Sequence, residues 1–333
     1  MKNNDFGIFT ISLDFELYWG VRDKKSIETY KDNLDGVEAA IEQTLSLFEK
    51  YRIHATWATV GFLFAKGESN LKSYFPQRKP NYSDSTLDPY KYIESNRNLE
   101  PRYHFAGELV EKILSHEHQE IGSHTFSHYY CDAKGQSTED FRHDMYSAMK
   151  IAQTRNISLN SFVFPRNQCQ WDYLPVLRDL GITSYRGNDR SLFRSTAENR
   201  AQIPRTRLFR LLDAHINLSG HNTYPLDSIK QQKPYNVKSS RFLRPVSSSS
   251  LILSPLKKRR IIASLEHAAK QNEIFHLWWH PHNFGKNIKD NIEYLESVLF
   301  DFSQISDQYG MKSLNMSEIV HLADQKQLQQ NET

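Results

Sequence analysis

Cysteine is scarce in this chain of 333 residues. Its two cysteines, Cys131 and Cys169, lie far apart and form no CxxC pattern, which argues against a disulfide scaffold and against a cysteine-ligated zinc site. A dominant charge is also lacking: 42 Lys and Arg against 39 Asp and Glu leave a net charge of +3. That bias is too small to announce a nucleic-acid partner, and it argues against an acidic disordered chain. No run reaches the roughly eighteen apolar residues that a transmembrane helix needs. Met1 to Asp5 leads into a strand-like run, Phe6 to Leu13, with no apolar signal-peptide segment, so the expected location is cytoplasmic. What is plentiful is histidine, with fourteen residues, most of them in the middle and the C-terminal third.

Strand-like and helix-like segments alternate along the chain. Ile8 to Leu17 is rich in β-branched and aromatic residues and reads as a buried strand. Asn33 to Arg52 carries Leu34, Val37, Ile41, Leu45 and Phe48 at helical spacing, and His54 to Val60 is a second strand. Residues 66–104 break the rhythm with four prolines and read as an insertion over the surface. The alternation resumes with a helix at Ala106 to Ser115, a strand at Glu120 to Ser123, and a helix started by Ser137 that runs to Arg155. Further strands are read at Ser161 to Phe164, Thr183 to Tyr185, Ile274 to Trp279 and Lys312 to Leu314. Helices are read at Asp172 to Leu180, Leu256 to Gln271, Ile288 to Tyr309 and Met316 to Gln325. A second loosening, 187–255, reads as another insertion in a catalytic domain spanning 5–325. Six or seven βα units predict an α/β fold with a mostly parallel sheet, open or closed into a barrel. No GxGxxG follows the first strand, which removes the main support for a dinucleotide-binding open sheet.

In a βα barrel the chemistry gathers at the C-terminal ends of the strands. The first strand ends in Asp14-Phe15-Glu16, and alternation puts the two acids on one face. Side by side they are costly unless a cation or a shared proton relieves them; the plainer reading is a solvated pair. The third strand runs into His124-Thr125-Phe126-Ser127-His128. Two histidines four residues apart share a face if the turn is helical, which suits one Zn²⁺. Chance alone yields roughly 0.6 such pairs in this composition, and His276 and His280 form another, so position counts for more than spacing. The fourth strand ends in Phe164-Pro165-Arg166, where an Arg can orient a carboxylate or simply face solvent. The late strand ends in Trp278-Trp279-His280-Pro281-His282, with His280 as a candidate acid–base group. Together these residues make a metal-hydrolase constellation.

The order of these motifs, closed by Met316-Ser317-Glu318-Ile319, resembles the polysaccharide deacetylases of the NodB-homology type, carbohydrate esterase family 4, over residues 6 to 323. The resemblance implies a distorted (β/α)₇ barrel that removes an N-acetyl or N-formyl group from a sugar during surface-polysaccharide or O-antigen assembly. It implies one divalent ion, Zn²⁺ first, with Co²⁺, Ni²⁺, Mn²⁺ and Fe²⁺ as alternatives. The ligands implied are Glu16, His124 and His128, with Asp14 as base, His280 as acid and Arg166 as the residue steadying the base; the roles of Asp14 and Glu16 can be exchanged. Trp19, Pro165, Trp278 and Trp279 are expected to line the substrate pocket. The chain departs from the family pattern in having Asp14 and Glu16 rather than adjacent Asp residues, and in placing Arg166 after Pro165. The family's Asp-Trp motif is not recognisable around Tyr185-Arg186-Gly187-Asn188-Asp189. A basic set, Lys233, Lys238, Arg241, Arg244 and Lys257 to Arg260, is a candidate hold for a nucleotide or lipid diphosphate carrier, or a solvated loop and helix start. Rival readings are an allantoinase-like hydrolase of a small amide or ureide, and a barrel that binds carbohydrate without turnover.

Overall fold

The computed structural model describes residues 5–96, 98–188, 217–230, 232–246 and 254–331. Eight strands follow one another across a curled parallel sheet in the order β6-β5-β4-β3-β2-β1-β8-β7, and a ninth, β9, pairs with β1. The strands are β1 (Ile8–Phe15), β2 (Ala55–Thr59), β3 (Gln119–Ser123), β4 (Ser161–Val163), β5 (Ser184–Arg186), β6 (Tyr235–Asn236), β7 (Arg241–Phe242), β8 (Ile274–Trp279) and β9 (Lys312–Ser313). This is the distorted (β/α)₇ architecture, curled but not a closed ring among the described residues.

The central strand is buried along its whole length, as a parallel strand covered on both faces must be. Its alternation sorts two environments. Phe9, Ile11, Leu13 and Phe15 join the apolar core with Val37, Ile41, Leu45 and Phe48 of one helix and Val298 and Leu299 of another. The intervening Ser12 and Asp14 reach across the inside of the curl to residues of β5 and β8. Each fully buried Leu, Ile or Phe contributes about 1.5–3 kcal/mol, so the outward face stabilises the barrel while the inward face carries the polar groups.

The helix expected over Asn33 to Arg52 is two, Ile27–Asp35 and Val37–Lys50, broken at Gly36. A Cβ on Gly36 would lie 2.1 Å from the Gly285 carbonyl oxygen, and one on Gly285 1.9 Å from that of Asn33. The two glycines let this break press against the loop after β8, where the Asn33 side-chain amide donates to the His282 carbonyl at 3.0 Å. Residues 66–104 are not merely laid over the surface. They form helices at Glu68–Lys72, Pro89–Ser95 and Pro101–His104 and bury Tyr90, Ile93, Tyr103 and His104. Aromatic side chains spaced irregularly for any one helix still fill the core once three short helices present them separately. Residues 187–255, read from the sequence as an insertion, contribute β6 and β7; the parts at 189–216, 231 and 247–253 lie outside the described residues.

Candidate active site

The parallel register fixes which strand ends meet. Leu13 lies opposite Trp279 and Asp14 opposite Ala58, so Asp14 and Glu16 emerge between the β8 loop and the β2–β3 side. Thr59 pairs with Ser123, which starts the His124–His128 loop on the same rim.

That loop is not a helical turn, although its two histidines converge. Thr125 and His128 take positive φ values, +63° and +56°, which reverse the chain twice within five residues. Buried Asp144 holds the turn by accepting bonds from the Phe126 backbone N–H and the Ser127 hydroxyl. Burial pushes the Asp144 carboxyl up to about 6, against the pull of those two donors. The outcome is that His124 Nε2 and His128 Nε2 lie 3.3 and 3.0 Å from one oxygen, Glu16 Oε2. All three side chains are buried.

His124 shows what this cluster needs. Its Nδ1 lies 2.9 Å from the Val163 carbonyl oxygen, which can only accept, so Nδ1 carries the proton. In the neutral ring Nε2 is then a lone pair; it has no hydrogen-bond partner and faces a carboxylate oxygen. Two acceptors facing each other in a dry site repel, and a cation between them removes the repulsion. His128 is kept neutral by burial, which drives its pKa down to about 4 despite Glu16. Burial also disfavours charge on Glu16, but nearby positive charge, His280 first, outweighs it and holds the carboxyl well below its usual range. One anionic oxygen ligand and two neutral imidazoles fit a divalent ion of the zinc type. Gly20 makes room for them, because a Cβ there would lie 2.0 Å from the Glu16 carboxyl carbon.

Asp14 is held differently. Arg186 donates to it through both terminal nitrogens, Nη1 to Oδ1 at 2.6 Å and Nη2 to Oδ2 at 2.8 Å. Burial raises the Asp14 carboxyl, yet Arg186, with His124 and His280, brings it below its ordinary value. Arg186 is itself fixed by the Ser12 hydroxyl at 2.9 Å, by Asn167 Oδ1 at 3.0 Å and by the Trp278 ring 4.2 Å from its guanidinium. The guanidinium steadying Asp14 is therefore Arg186, not Arg166. Arg166 turns away to pair with Asp23 and cover the Tyr130 ring at 4.6 Å. Its backbone at φ +56° after Pro165 directs it there. Arg186 ends β5 with Ser184 on the same inward face, which is the sequence signal that could have found it.

His280 Nε2 lies 3.6 Å from Glu16 Oε1 and 3.7 Å from Asp14 Oδ2. The Tyr30 hydroxyl donates to Asn283 Oδ1 at 3.2 Å, which leaves the Asn283 amide facing His280 Nδ1 at 3.3 Å. An amide N–H only donates, so Nδ1 accepts and Nε2 presents its proton to the carboxylates. Phe242 and Trp278 wall the ring, with centroids at 5.8 and 5.6 Å. His282 is buried behind it, 3.9 Å from Glu16 Oε1, and burial takes its pKa to about 3.

The four residues expected to line the pocket do not share one fate. Trp278 stands beside His280 and Arg186. Trp19 and Trp279 have no exposed surface: Trp19 donates to the His104 carbonyl and packs on Phe62, and Trp279 sits between Phe48 and Phe284. Pro165 is buried at the turn that aims Arg166. Lys233 and Lys258 of the basic set pair with Asp324 and Asp301, and Arg260 bonds Ser264 and Gly220.

Residues 22–185 match the family model of polysaccharide deacetylases. The chain carries a polysaccharide deacetylase domain. The match contains His124 and His128, while Asp14, Glu16, Arg186 and His280 lie outside it and meet them on one rim through the sheet. Among solved structures, a protein named as a polysaccharide deacetylase from Mycobacterium smegmatis superposes at TM-score 0.60 and 10% identity, covering 98% of this chain and 93% of its own. A GH57-type branching enzyme from Pyrococcus horikoshii superposes at 0.53 and 10% identity, over 95% of this chain and 70% of its own. A 4-alpha-glucanotransferase from Thermococcus litoralis reaches 0.51 at 12% identity, over 95% and 40%. At such identities the likeness is one of fold. No curated protein sequence matches the chain. Among the described residues no helix is long and apolar enough to cross a membrane.

Proposed function

We propose that this domain is a metal-dependent hydrolase that removes an N-acetyl or N-formyl group from a sugar, in the intracellular assembly of a surface polysaccharide. The observation that carries the reading is the convergence of Glu16, His124 and His128 beside an arginine-held Asp14 and a proton-bearing His280. Glu16 Oε2, His124 Nε2 and His128 Nε2 would hold the ion, Zn²⁺ by donor type. Bound there, a divalent ion supplies Lewis acidity, polarising a carbonyl and acidifying water.

The remaining work falls to the chain's own side chains. Asp14, kept ionised and in fixed orientation by Arg186, accepts the proton of the attacking water. His280, as the imidazolium, donates from Nε2 to the departing nitrogen, which cannot leave as an anion, and becomes the neutral ring. Phe242 and Trp278 keep that ring in place and limit water around it. A nucleotide- or lipid-diphosphate-linked N-acyl sugar is the substrate class this reading favours. Mass spectrometry of N-acetyl and N-formyl sugar nucleotides incubated with the zinc-loaded protein tests it. Loss of one acyl mass, abolished by His280→Ala, is the expected result; intact substrates throughout, with hydrolysis of a cyclic ureide instead, would overturn the sugar assignment.

A further inference from the structure

Arg166 stands just after β4 on the catalytic rim yet takes no part in holding Asp14. Its backbone and that of Asn167 are both left-handed, φ +56° and +55°, a costly conformation for two consecutive residues that carry side chains. The two reversals divide the work of the loop. Asn167 presents its side-chain oxygen to Arg186 at 3.0 Å, whereas Arg166 is sent across the Tyr130 ring, its guanidinium 4.6 Å from the ring centre. Tyr130 in turn packs on the ring of His128, with centroids 5.3 Å apart. One side chain therefore separates this guanidinium from the candidate metal centre.

The guanidinium is held on one side and open on the other. The largely buried Asp23 carboxylate accepts from Arg166 Nη2 and, at 3.3 Å, from the Tyr130 hydroxyl. Arg166 Nε and Nη1 have no partner among the described residues, and the side chain keeps 22% of its surface exposed. A second guanidinium, Arg22, lies 5.9 Å from the same ring. It donates to the backbone carbonyls of Thr86, at 2.8 Å, and Leu87, which are neutral and leave its charge in place. Two guanidiniums and one carboxylate around Tyr130 thus leave positive charge in excess, and the exposed Lys24 and Lys25 follow in the same loop. Burial keeps His128 neutral, and the Arg166 charge adds to that effect.

We propose that Arg166 binds the phosphate next to the N-acyl group of a glycosyl diphosphate, with Arg22 adding to the positive field; this rests on the N-acyl-sugar reading given above. In a 2-acylamino sugar joined to its carrier through a diphosphate, five bonds separate the acyl carbon from the first phosphorus, a span of at most about 6 Å. The phosphate of such a substrate must lie beside the metal centre. Lys233 and Lys238 do not meet that demand. They line a cavity with Tyr185, whose neighbours Ser184 and Arg186 face into the barrel, so that cavity opens on the other face of the sheet. A guanidinium edge matches the oxygens of a phosphate in a way a lysine does not, and Arg166 keeps such an edge open.

The test is isothermal titration of the zinc-loaded full chain carrying His280→Ala, so that the sugar stays intact. The probes are N-acetylglucosamine and its 1-phosphate, with nucleotide-diphosphate and polyprenyl-diphosphate forms of the same sugar as further arms. The 1-phosphate is expected to bind about tenfold or more tightly than the free sugar, by a margin that shrinks as salt rises. The carrier that binds more tightly than the bare 1-phosphate identifies the source of the diphosphate. Adding Arg166→Met, which keeps an apolar cover on Tyr130, should erase the preference for the phosphate, and Arg166→Lys should restore part of it. Circular dichroism and zinc content separate loss of the subsite from misfolding. A preference that survives Arg166→Met, or no preference before that change is made, would overturn the proposal. Phosphate binding that follows Arg166 while the wild-type chain releases no acyl group would leave the subsite standing and remove the deacylation reading instead.

Discussion

Two carboxylates at opposite ends of this barrel receive opposite treatment. Glu120, on the floor, accepts from the Ser161 hydroxyl at 2.6 Å, the Thr56 hydroxyl at 2.7 Å, the Ser317 hydroxyl and the Ser317 backbone N–H at 3.2 Å. Every one of those partners is a neutral donor, and the charge is satisfied where it stands. Glu16, on the rim, faces two imidazoles, one of which offers it a lone pair. Glu120 is half-buried and surrounded by donors, so it holds structure together; Glu16 is buried and faces other acceptors, which marks a place where a cation belongs. Donor and acceptor accounting explains why the two differ.

The comparison breaks most visibly at the rim. His128→Ala should abolish metal binding and reduce turnover to background, while Glu120→Gln should lower the melting temperature and leave metal content unchanged. Metal analysis beside calorimetry on both variants checks this, and a Glu120→Gln protein that loses its rim metal would erase the distinction.

Next in size is His280→Ala, expected to keep its metal and lose about 10²–10⁴-fold in kcat, with His282→Ala losing less. Steady-state kinetics on the loaded proteins decide it; a dead His282→Ala beside a normal His280→Ala would exchange their roles. Arg186→Ala removes one partner of a buried pair and should destabilise the fold by about 3–5 kcal/mol in urea unfolding, as well as slowing turnover. Arg166→Ala should cost less, because the Tyr130 hydroxyl still donates to Asp23 at 3.3 Å.

Gly20→Ala sharpens the comparison more finely. The added Cβ meets the end of the Glu16 side chain, which can swing aside, so the protein should fold and bind zinc about 10–100-fold more weakly. Isothermal titration beside circular dichroism separates that outcome from misfolding.

A last expected effect is a slope with pH. His276 is buried between the Val237 carbonyl, at 3.1 Å, and the Ser12 hydroxyl, at 2.7 Å. Burial first, and Arg186 second, depress its pKa to about 3. The unfolded chain then binds the proton more readily than the folded one. Stability from this group is complete above the ordinary histidine pKa and drains away as pH falls toward 3, at about 1.4 kcal/mol per pH unit. His276→Gln should flatten unfolding free energy between pH 6.5 and 4 by about that slope; an unchanged slope would show that His276 is not buried uncharged.

Much of this site was legible along the chain because strand ends are legible. Asp14, Glu16, the His124–His128 pair and His280 each follow a run of residues that can only be a buried parallel strand, and a barrel gathers such ends on one rim. Arg166 misled because Pro165 and a left-handed backbone turn its side chain outward, which no spacing reveals. Arg186 is faint in the sequence for a different reason: it ends a three-residue strand in which Ser184 is its one same-face neighbour. Trp279 sits one residue from His280 and Trp19 three from Glu16; both were expected to line the pocket, yet both complete the core.

The amino-acid sequence by itself determined the succession of strands and helices, the inward polar face of β1 and the set of groups able to hold a cation. Those follow from local periodicity and from which side chains can be buried without a partner. Tertiary structure alone decided which arginine meets Asp14, which of two acids meets both imidazoles, and which tryptophans face inward. Each of those outcomes depends on strands far apart in the chain being laid side by side, with Arg186 reaching Asp14 across 172 positions. A side chain's partner is set by the register between strands and by backbone reversals at single residues, and neither leaves a repeating trace in the order of the amino acids.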